Sequence, residues 1–151
     1  LLASDAGYVF VARFSYLQTK NKAGKAVLSL PKGARVIPPA VIGEGADLLV
    51  AAVTNEGRLL IFPLSDLPEL ARGKGNKIIG IPSARAAARE ELLVGLCTLQ
   101  SADVLQVTAG RQHLKLKFSD LEHYRGERGR RGNKLPKGFQ KVAGFGVLQS
   151  A

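Results

Sequence analysis

Thr54-Asn55-Glu56-Gly57-Arg58-Leu59-Leu60-Ile61-Phe62-Pro63-Leu64-Ser65-Asp66-Leu67 reads as a polar turn, an apolar strand and a Ser-x-Leu corner. The turn residues Asn55 and Gly57 supply the backbone freedom that a hairpin needs. Leu59–Phe62 is too short for a helix and suits a strand. Arg72-Gly73-Lys74-Gly75-Asn76-Lys77 follows, and then Ile78-Ile79-Gly80-Ile81 runs up to Pro82. The order is turn, strand, corner, basic glycine loop, second strand, proline.

The same order occurs upstream. Ser4-Asp5-Ala6-Gly7 is the turn, Tyr8–Phe14 the strand and Phe14-Ser15-Tyr16-Leu17 the corner. Lys20-Asn21-Lys22-Ala23-Gly24-Lys25 is the basic loop, and the strand Ala26–Leu30 ends at Pro31. It occurs again downstream. Leu92–Leu99 and Val104–Thr108 read as strands around a turn at 101–103, with Ala109-Gly110 as the next turn. Leu114, Leu116 and Phe118 alternate with Lys115 and Lys117, giving a strand with one apolar and one cationic face. Phe118-Ser119-Asp120-Leu121 is the corner, and Leu135-Pro136 closes a long basic run.

The turn glycines are Gly7, Gly57 and Gly110, spaced by 50 and 53 residues; the corner serines are Ser15, Ser65 and Ser119, spaced by 50 and 54. Short strands at such a period mark stacked, propeller-like blades. No blade of this size buries both faces alone, so neighbours must stack. The expected fold is all-β, with about three blades in approximate units 1–50, 51–103 and 104–151. The exception is Ser83–Glu91, an alanine-rich segment with a serine start that predicts a short helix or turn between blades. The chain has no Trp, which excludes the WD40 type of propeller.

The chain has 151 residues and a net charge of +10. Residues 111–141 hold ten Lys/Arg and three Asp/Glu, a local net of +7, whereas residues 51–110 hold six of each. An excess of this kind points to a polyanion partner. The apolar runs, such as Leu48–Val53, are too short to cross a bilayer, and no basic amphipathic helix is visible. The single Cys97 can form neither an internal disulfide nor a cysteine metal cage, and it reads as a small buried hydrophobe. The chain contains no Met and opens on Leu1-Leu2-Ala3-Ser4-Asp5, which reads as mid-strand; a fragment of a longer protein is expected.

These units resemble the C-terminal domain of bacterial type IIA topoisomerase A subunits. The resemblance rests on Ser65-Asp66-Leu67-Pro68, Gly73-Lys74-Gly75-Asn76-Lys77-Ile78-Ile79 and Gly126-Glu127-Arg128-Gly129-Arg130-Arg131-Gly132. It implies a β-pinwheel, a propeller variant in which blades exchange strands, here as an open or incomplete ring. The chain lacks the Gln-Arg-Arg-Gly-Gly-Lys-Gly box of gyrase A, and so it resembles the topoisomerase IV branch, which relaxes and decatenates DNA. The resemblance implies sequence-independent binding of double-stranded DNA, presented for strand passage. It also implies a bacterial cytoplasmic setting. The implied partners are the rest of the A subunit, plus the B subunit, which is the ATPase. No cofactor is expected in this segment. ATP and Mg²⁺ are implied for the parent enzyme, through other domains.

The cationic loops are the candidate contacts. Arg125, Arg128, Arg130, Arg131 and Lys134 come first, in a ten-residue run with three glycines. Arg72, Lys74 and Lys77 come second, and Lys20, Lys22 and Lys25 third. Arginine forks meet phosphate oxygens with paired hydrogen bonds, and glycines let backbone N–H groups approach an anion. All three loops are expected on an outer rim. Lys115 and Lys117 either extend the strongest patch or form a solvated strand face. His113 and His123 have no ligand spacing around them, no Asp-x-Asp pair and no phosphate-binding Gly-Lys-Ser/Thr loop occurs, and Tyr124 reads as structural or DNA-flanking rather than as a nucleophile. The residues alone also admit a ribosomal-type RNA-binding β-protein, or a protein-binding propeller with incidental charge.

Overall fold

The computed structural model describes residues 1–13, 15, 27–30, 33–37, 40, 42, 48–70, 72–100, 103–139 and 141–148. The whole first basic loop, with Lys20, Lys22 and Lys25, lies outside the described residues.

The strands in chain order are β1 (Leu2–Ala3), β2 (Tyr8–Phe10), β3 (Leu49–Thr54), β4 (Arg58–Pro63), β5 (Asn76–Lys77), β6 (Leu93–Leu99), β7 (Val104–Ala109), β8 (Gln112–Leu116), β9 (Asn133–Lys134) and β10 (Gly144–Leu148). They form three antiparallel sheets, ordered β1-β2-β5, β6-β3-β4-β9 and β10-β7-β8. Each sheet is built on one of the three repeated hairpins, and Gly7, Gly57 and Gly110 all take positive φ in the hairpin turns. The turn N–H of Gly7 donates to Ser4 O at 3.1 Å, and that of Gly57 to Thr54 O at 3.0 Å. The three turn glycines are thus corresponding corners of three sheets.

The sheets are not contiguous in sequence. β5 follows the second hairpin yet pairs with β2 of the first sheet, Tyr8 opposite Lys77. β9 follows the third hairpin yet pairs with β4 of the second, Arg58 opposite Lys134. Blades therefore exchange strands, as the pinwheel resemblance implies. Among the described residues no strand pairs with the outer edge of β8.

The central sheet explains its own sequence. Leu49–Val53 and Leu59–Phe62 are buried throughout because the sheet is covered on both faces. Val50, Ala52, Leu60 and Phe62 face one cluster with Leu1, Val9, Ile78, Ile79, Ile81 and Leu93. Ala51, Val53, Leu59 and Ile61 face the other, with Leu105, Val107, Leu121 and Tyr124. β10 stacks its sheet on this one by laying Phe145 across Gly95, where a Cβ would come within 2.8 Å of the ring.

A short helix, α1 (Ser83–Ala87), occupies the alanine-rich segment. The second corner becomes a 3-10 turn at Leu64–Asp66 and the third the helix α2 (Phe118–Leu121), which runs into a second 3-10 turn at Glu122–Tyr124; the first corner, 14–17, lies outside the described residues except for Ser15. Two strand expectations need correction. In Ile78–Ile81, buried throughout except Gly80, only the preceding Asn76–Lys77 joins a ladder. In Ala26–Leu30 the described residues make one bridge, Leu28 with Gly73. Both segments are apolar and β-prone, but they serve as core and as a shelf for the next loop. Cys97 is half-buried on β6, and burial, with a smaller contribution from the Asp103 charge, pushes its thiol up to about 12.

Candidate nucleic-acid interface

Each of the two described basic loops is a strand donor before it is a charge carrier. Gly75-Asn76-Lys77 and Gly132-Asn133-Lys134 repeat the same tripeptide at the point of exchange. Asn76 and Lys77 pair with Val9 and Tyr8, whereas Asn133 and Lys134 pair with Leu59 and Arg58. The register continues past the ladders. The Ile78 N–H donates to Gly7 O at 2.9 Å and the Leu135 N–H to Gly57 O at 2.8 Å.

The glycines at these points serve backbone packing. A Cβ on Gly75 would fall 2.3 Å from Val9 O, and one on Gly132 would fall 2.5 Å from Leu59 O. Both also take positive φ. The expectation that the loop glycines free N–H groups for an anion is therefore corrected at these two positions: they let one backbone close on another.

The strongest loop lies on β4 and on residues 77–80, at and just beyond the end of the second loop. The Gly126 N–H donates to Ile61 O at 3.0 Å, Gly129 N–H to Ile78 O at 2.9 Å, and Gly80 N–H to Arg130 O at 2.7 Å. The Arg128 guanidinium donates to Lys77 O at 2.9 Å. The second loop rests on the preceding shelf in the same way, with Gly73 N–H donating to Val27 O and Ser29 N–H to Gly73 O, each at 2.8 Å. Loop 125–134 therefore meets the end of loop 72–77 at Lys77 and the 78–80 segment beyond it, and the two loops together make up a basic ledge.

The side chains on this ledge divide by direction. Arg130 is the most open, with 73% of its side chain exposed, and pairs with Glu127 at 3.2 Å. Arg125 is exposed and pairs with Glu122 at 3.1 Å, and Lys134 is exposed on β9. Such surface pairs with near neighbours are weak and open readily. Arg72 and Lys74 are exposed, Lys74 with its Nζ 4.8 Å from the centre of the Tyr8 ring, whereas Lys77 is half-buried. Lys115 and Lys117 are exposed on and just after β8. Arg128 is half-buried against the Lys77 carbonyl.

Arg131 departs from the outer-rim expectation. It bends inward, donating to Gly80 O and, at 2.9 Å, to Glu91, whose side chain is 0% exposed. A run of arginines looks uniform along the chain, so sequence reasoning ranks Arg131 with its neighbours. The missed signal is Glu91 itself, an acid two residues before the apolar strand Leu93–Leu99. Arg85 approaches the same carboxylate at 3.5 Å and also pairs with Glu56 in the second hairpin turn.

Tyr124 is buried in the second core cluster, and desolvation, helped by the Asp120 charge, raises its phenol above the ordinary range. That environment suits a packing residue and not a nucleophile. His113 is exposed, with Nδ1 3.0 Å from Gln106 Nε2 and 3.1 Å from Thr108 Oγ1. Among the described residues no group of three or more His, Cys, Asp or Glu side chains is placed to hold a metal ion. No described helix is long and apolar enough to span a bilayer.

Strand-exchanging blades joined by stitched basic loops define a class of propeller-like domain, and the chain belongs to the family described as DNA gyrase C-terminal domain, beta-propeller, whose model matches residues 1–42 and 49–96. Within it, the relatives are topoisomerase IV A subunits. Over 94% of this chain, the A chain of DNA topoisomerase 4 from Pseudomonas aeruginosa is 58% identical, and its Escherichia coli counterpart is 49% identical. The chain spans 19% of the length of those relatives. The solved C-terminal domain of E. coli ParC superposes with a TM-score of 0.90 at 46% identity, over 99% of this chain and 60% of that one. A solved gyrase A C-terminal domain shares the fold, with a TM-score of 0.72 at 18% identity over 99% of this chain and 48% of that one.

Proposed function

We propose that this domain binds double-stranded DNA without reading its sequence, along the ledge formed by loops 72–77 and 125–134. The observation that carries the reading is the contact of loop 125–134 with Lys77 and residues 78–80, with Arg72, Lys74, Arg125, Arg130 and Lys134 all exposed. Spaced guanidinium and ammonium groups on a fixed backbone track phosphates and release their counterions. Nothing on the ledge has the geometry of a base reader, so preference comes from the shape and bendability of the duplex.

In the parent protein the domain is non-catalytic. It holds a duplex and presents it for strand passage by an ATP-hydrolysing type II topoisomerase acting in decatenation and supercoil relaxation. Its partners there are the remainder of its own polypeptide and the ATPase partner chain, in a bacterial cytoplasm. ATP and Mg²⁺ belong to other parts of that assembly. The kinship with topoisomerase IV A subunits supports this reading.

The test is competition among supercoiled plasmid, linear duplex and folded RNA at two salt concentrations. Preference for duplex, lost steeply as salt rises, is expected. Preference for RNA would replace the reading with a structural RNA-binding one, and indifference to both would favour a protein-binding propeller.

A further inference from the structure

Glu91 stands where three parts of the chain meet, and its backbone is held from two sides. The Asn55 side chain accepts from the Leu92 N–H at 2.9 Å and donates to Glu90 O at 3.2 Å. The Leu93 N–H donates to Asp5 O at 2.8 Å, which ties the same segment to the first hairpin turn. Arg89, at a positive φ of 58°, reaches from the end of α1 to Asp5 Oδ2 at 2.7 Å and to Gly33 O at 2.8 Å. The carboxylate of Glu91 is therefore carried on a fixed post and buried completely.

Two cations reach that carboxylate. Arg131 Nη1 lies 2.9 Å from each oxygen, and Arg85 Nη1 lies 3.5 Å from Oε2. A buried carboxylate that loses its closest cation is strongly unfavourable, so Arg131 is not free to swing out to a phosphate. The same nitrogen also donates to Gly80 O, beside the bond from Gly80 N–H to Arg130 O. The next residue, Gly132, leads directly into the exchanged strand β9.

We infer that Arg131 is a positioning residue: anchored on Glu91, it docks the arginine-rich loop onto residues 78–80 and so aims Arg125, Arg130 and Lys134 outward. An anionic group thereby serves a cationic surface. This rests on the DNA-binding reading for its consequence, but not for its geometry.

The consequence has an unexpected sign. Removing a negative charge near a DNA-binding surface ordinarily raises affinity, because less repulsion remains. Here Glu91→Gln lowers it, because the loop loses its anchor. Arg131→Lys keeps the charge, but its shorter side chain withdraws the donor from the point where Arg131 Nη1 meets both Gly80 O and Glu91. It should lower duplex affinity as well, whereas a contact that only neutralises phosphate charge would tolerate Lys.

The experiment uses the 151-residue chain, its Glu91→Gln variant and its Arg131→Lys variant. Amide exchange is first measured without DNA. In both variants the Gly80 and Gly129 amides should exchange about tenfold faster or more, while amides of the β3–β4 ladder keep their protection. Affinity for a linear duplex of mixed sequence is then measured, and should fall about threefold or more in both. Unchanged protection at Gly80 and Gly129 overturns the anchor. So does protection lost equally across β3–β4, which would make Glu91 a general support of the fold. Higher affinity in Glu91→Gln overturns the positioning role. If the unaltered chain itself shows no duplex binding, the DNA-binding reading fails, while the exchange result still decides the anchor.

Discussion

Gly132 closes on Leu59 so tightly that a Cβ would come 2.5 Å from the Leu59 carbonyl oxygen, the same contact that Gly75 makes with Val9 at 2.3 Å. This repeated approach is what lets a loop from one unit complete the sheet of the unit before it. Gly132→Ala should therefore destabilise the domain by more than ~2 kcal/mol, through backbone overlap and left-handed strain together. Gly110 is the control. It has positive φ but open space around it, so Gly110→Ala should cost only about 1 kcal/mol. Urea unfolding of the two variants measures the difference.

The hairpins and their corners were legible in the sequence because they are local. Gly7, Gly57 and Gly110 announce their turns, and the serine-containing corners follow each apolar run at a similar offset. The exchanged strands were not legible as pairings. β5 and β9 have two residues each, too few for any alternation to declare a register. The apolar segment Ile78–Ile81 reads as a strand for the same reason that it fills a core: both require branched apolar side chains.

The central sheet should show the cost of being covered on both faces. Phe62 is fully buried in the first cluster, so Phe62→Ala should remove about 3–5 kcal/mol. Leu59→Ala, on the opposite face, should cost about 2–5 kcal/mol. Both variants should lose stability without change in m-value if the domain unfolds as one unit.

Alkaline pH should weaken the fold through Cys97. The unfolded thiol ionises from about 9, whereas burial first, and the Asp103 charge second, hold the folded thiol protonated up to about 12. Between those values the unfolded chain binds fewer protons, so stability falls as pH rises. The buried Tyr124 phenol, raised mainly by desolvation, acts in the same direction. Unfolding midpoints followed across that window should decline less steeply in Cys97→Ala than in the unaltered chain. The folded thiol should also resist alkylation at mildly alkaline pH, where the urea-unfolded chain reacts.

The candidate site was legible as charge but not as direction. Five cations in residues 125–134 look equivalent in sequence, yet Arg131 turns to Glu91 and Arg128 to a backbone carbonyl, while Arg130 stays open. What sorts them is a partner 40 residues away for Arg131 and one 51 residues away for Arg128. Arg130→Ala should therefore leave stability within about 0.5 kcal/mol of the unaltered chain. Arg131→Ala should cost several times as much, as removal of a buried carboxylate's partner does. Thermal unfolding of the two variants separates them.

The salt dependence of duplex binding tests the central claim most directly. Replacing Arg125, Arg130 and Lys134 by Ala removes three outward cations from the ledge. The slope of log affinity against log salt concentration should become shallower by about 2.7, at roughly 0.9 for each phosphate no longer neutralised. The β-rich circular dichroism spectrum should not change. A triple variant that binds duplex with the original slope would show that DNA does not run along this ledge.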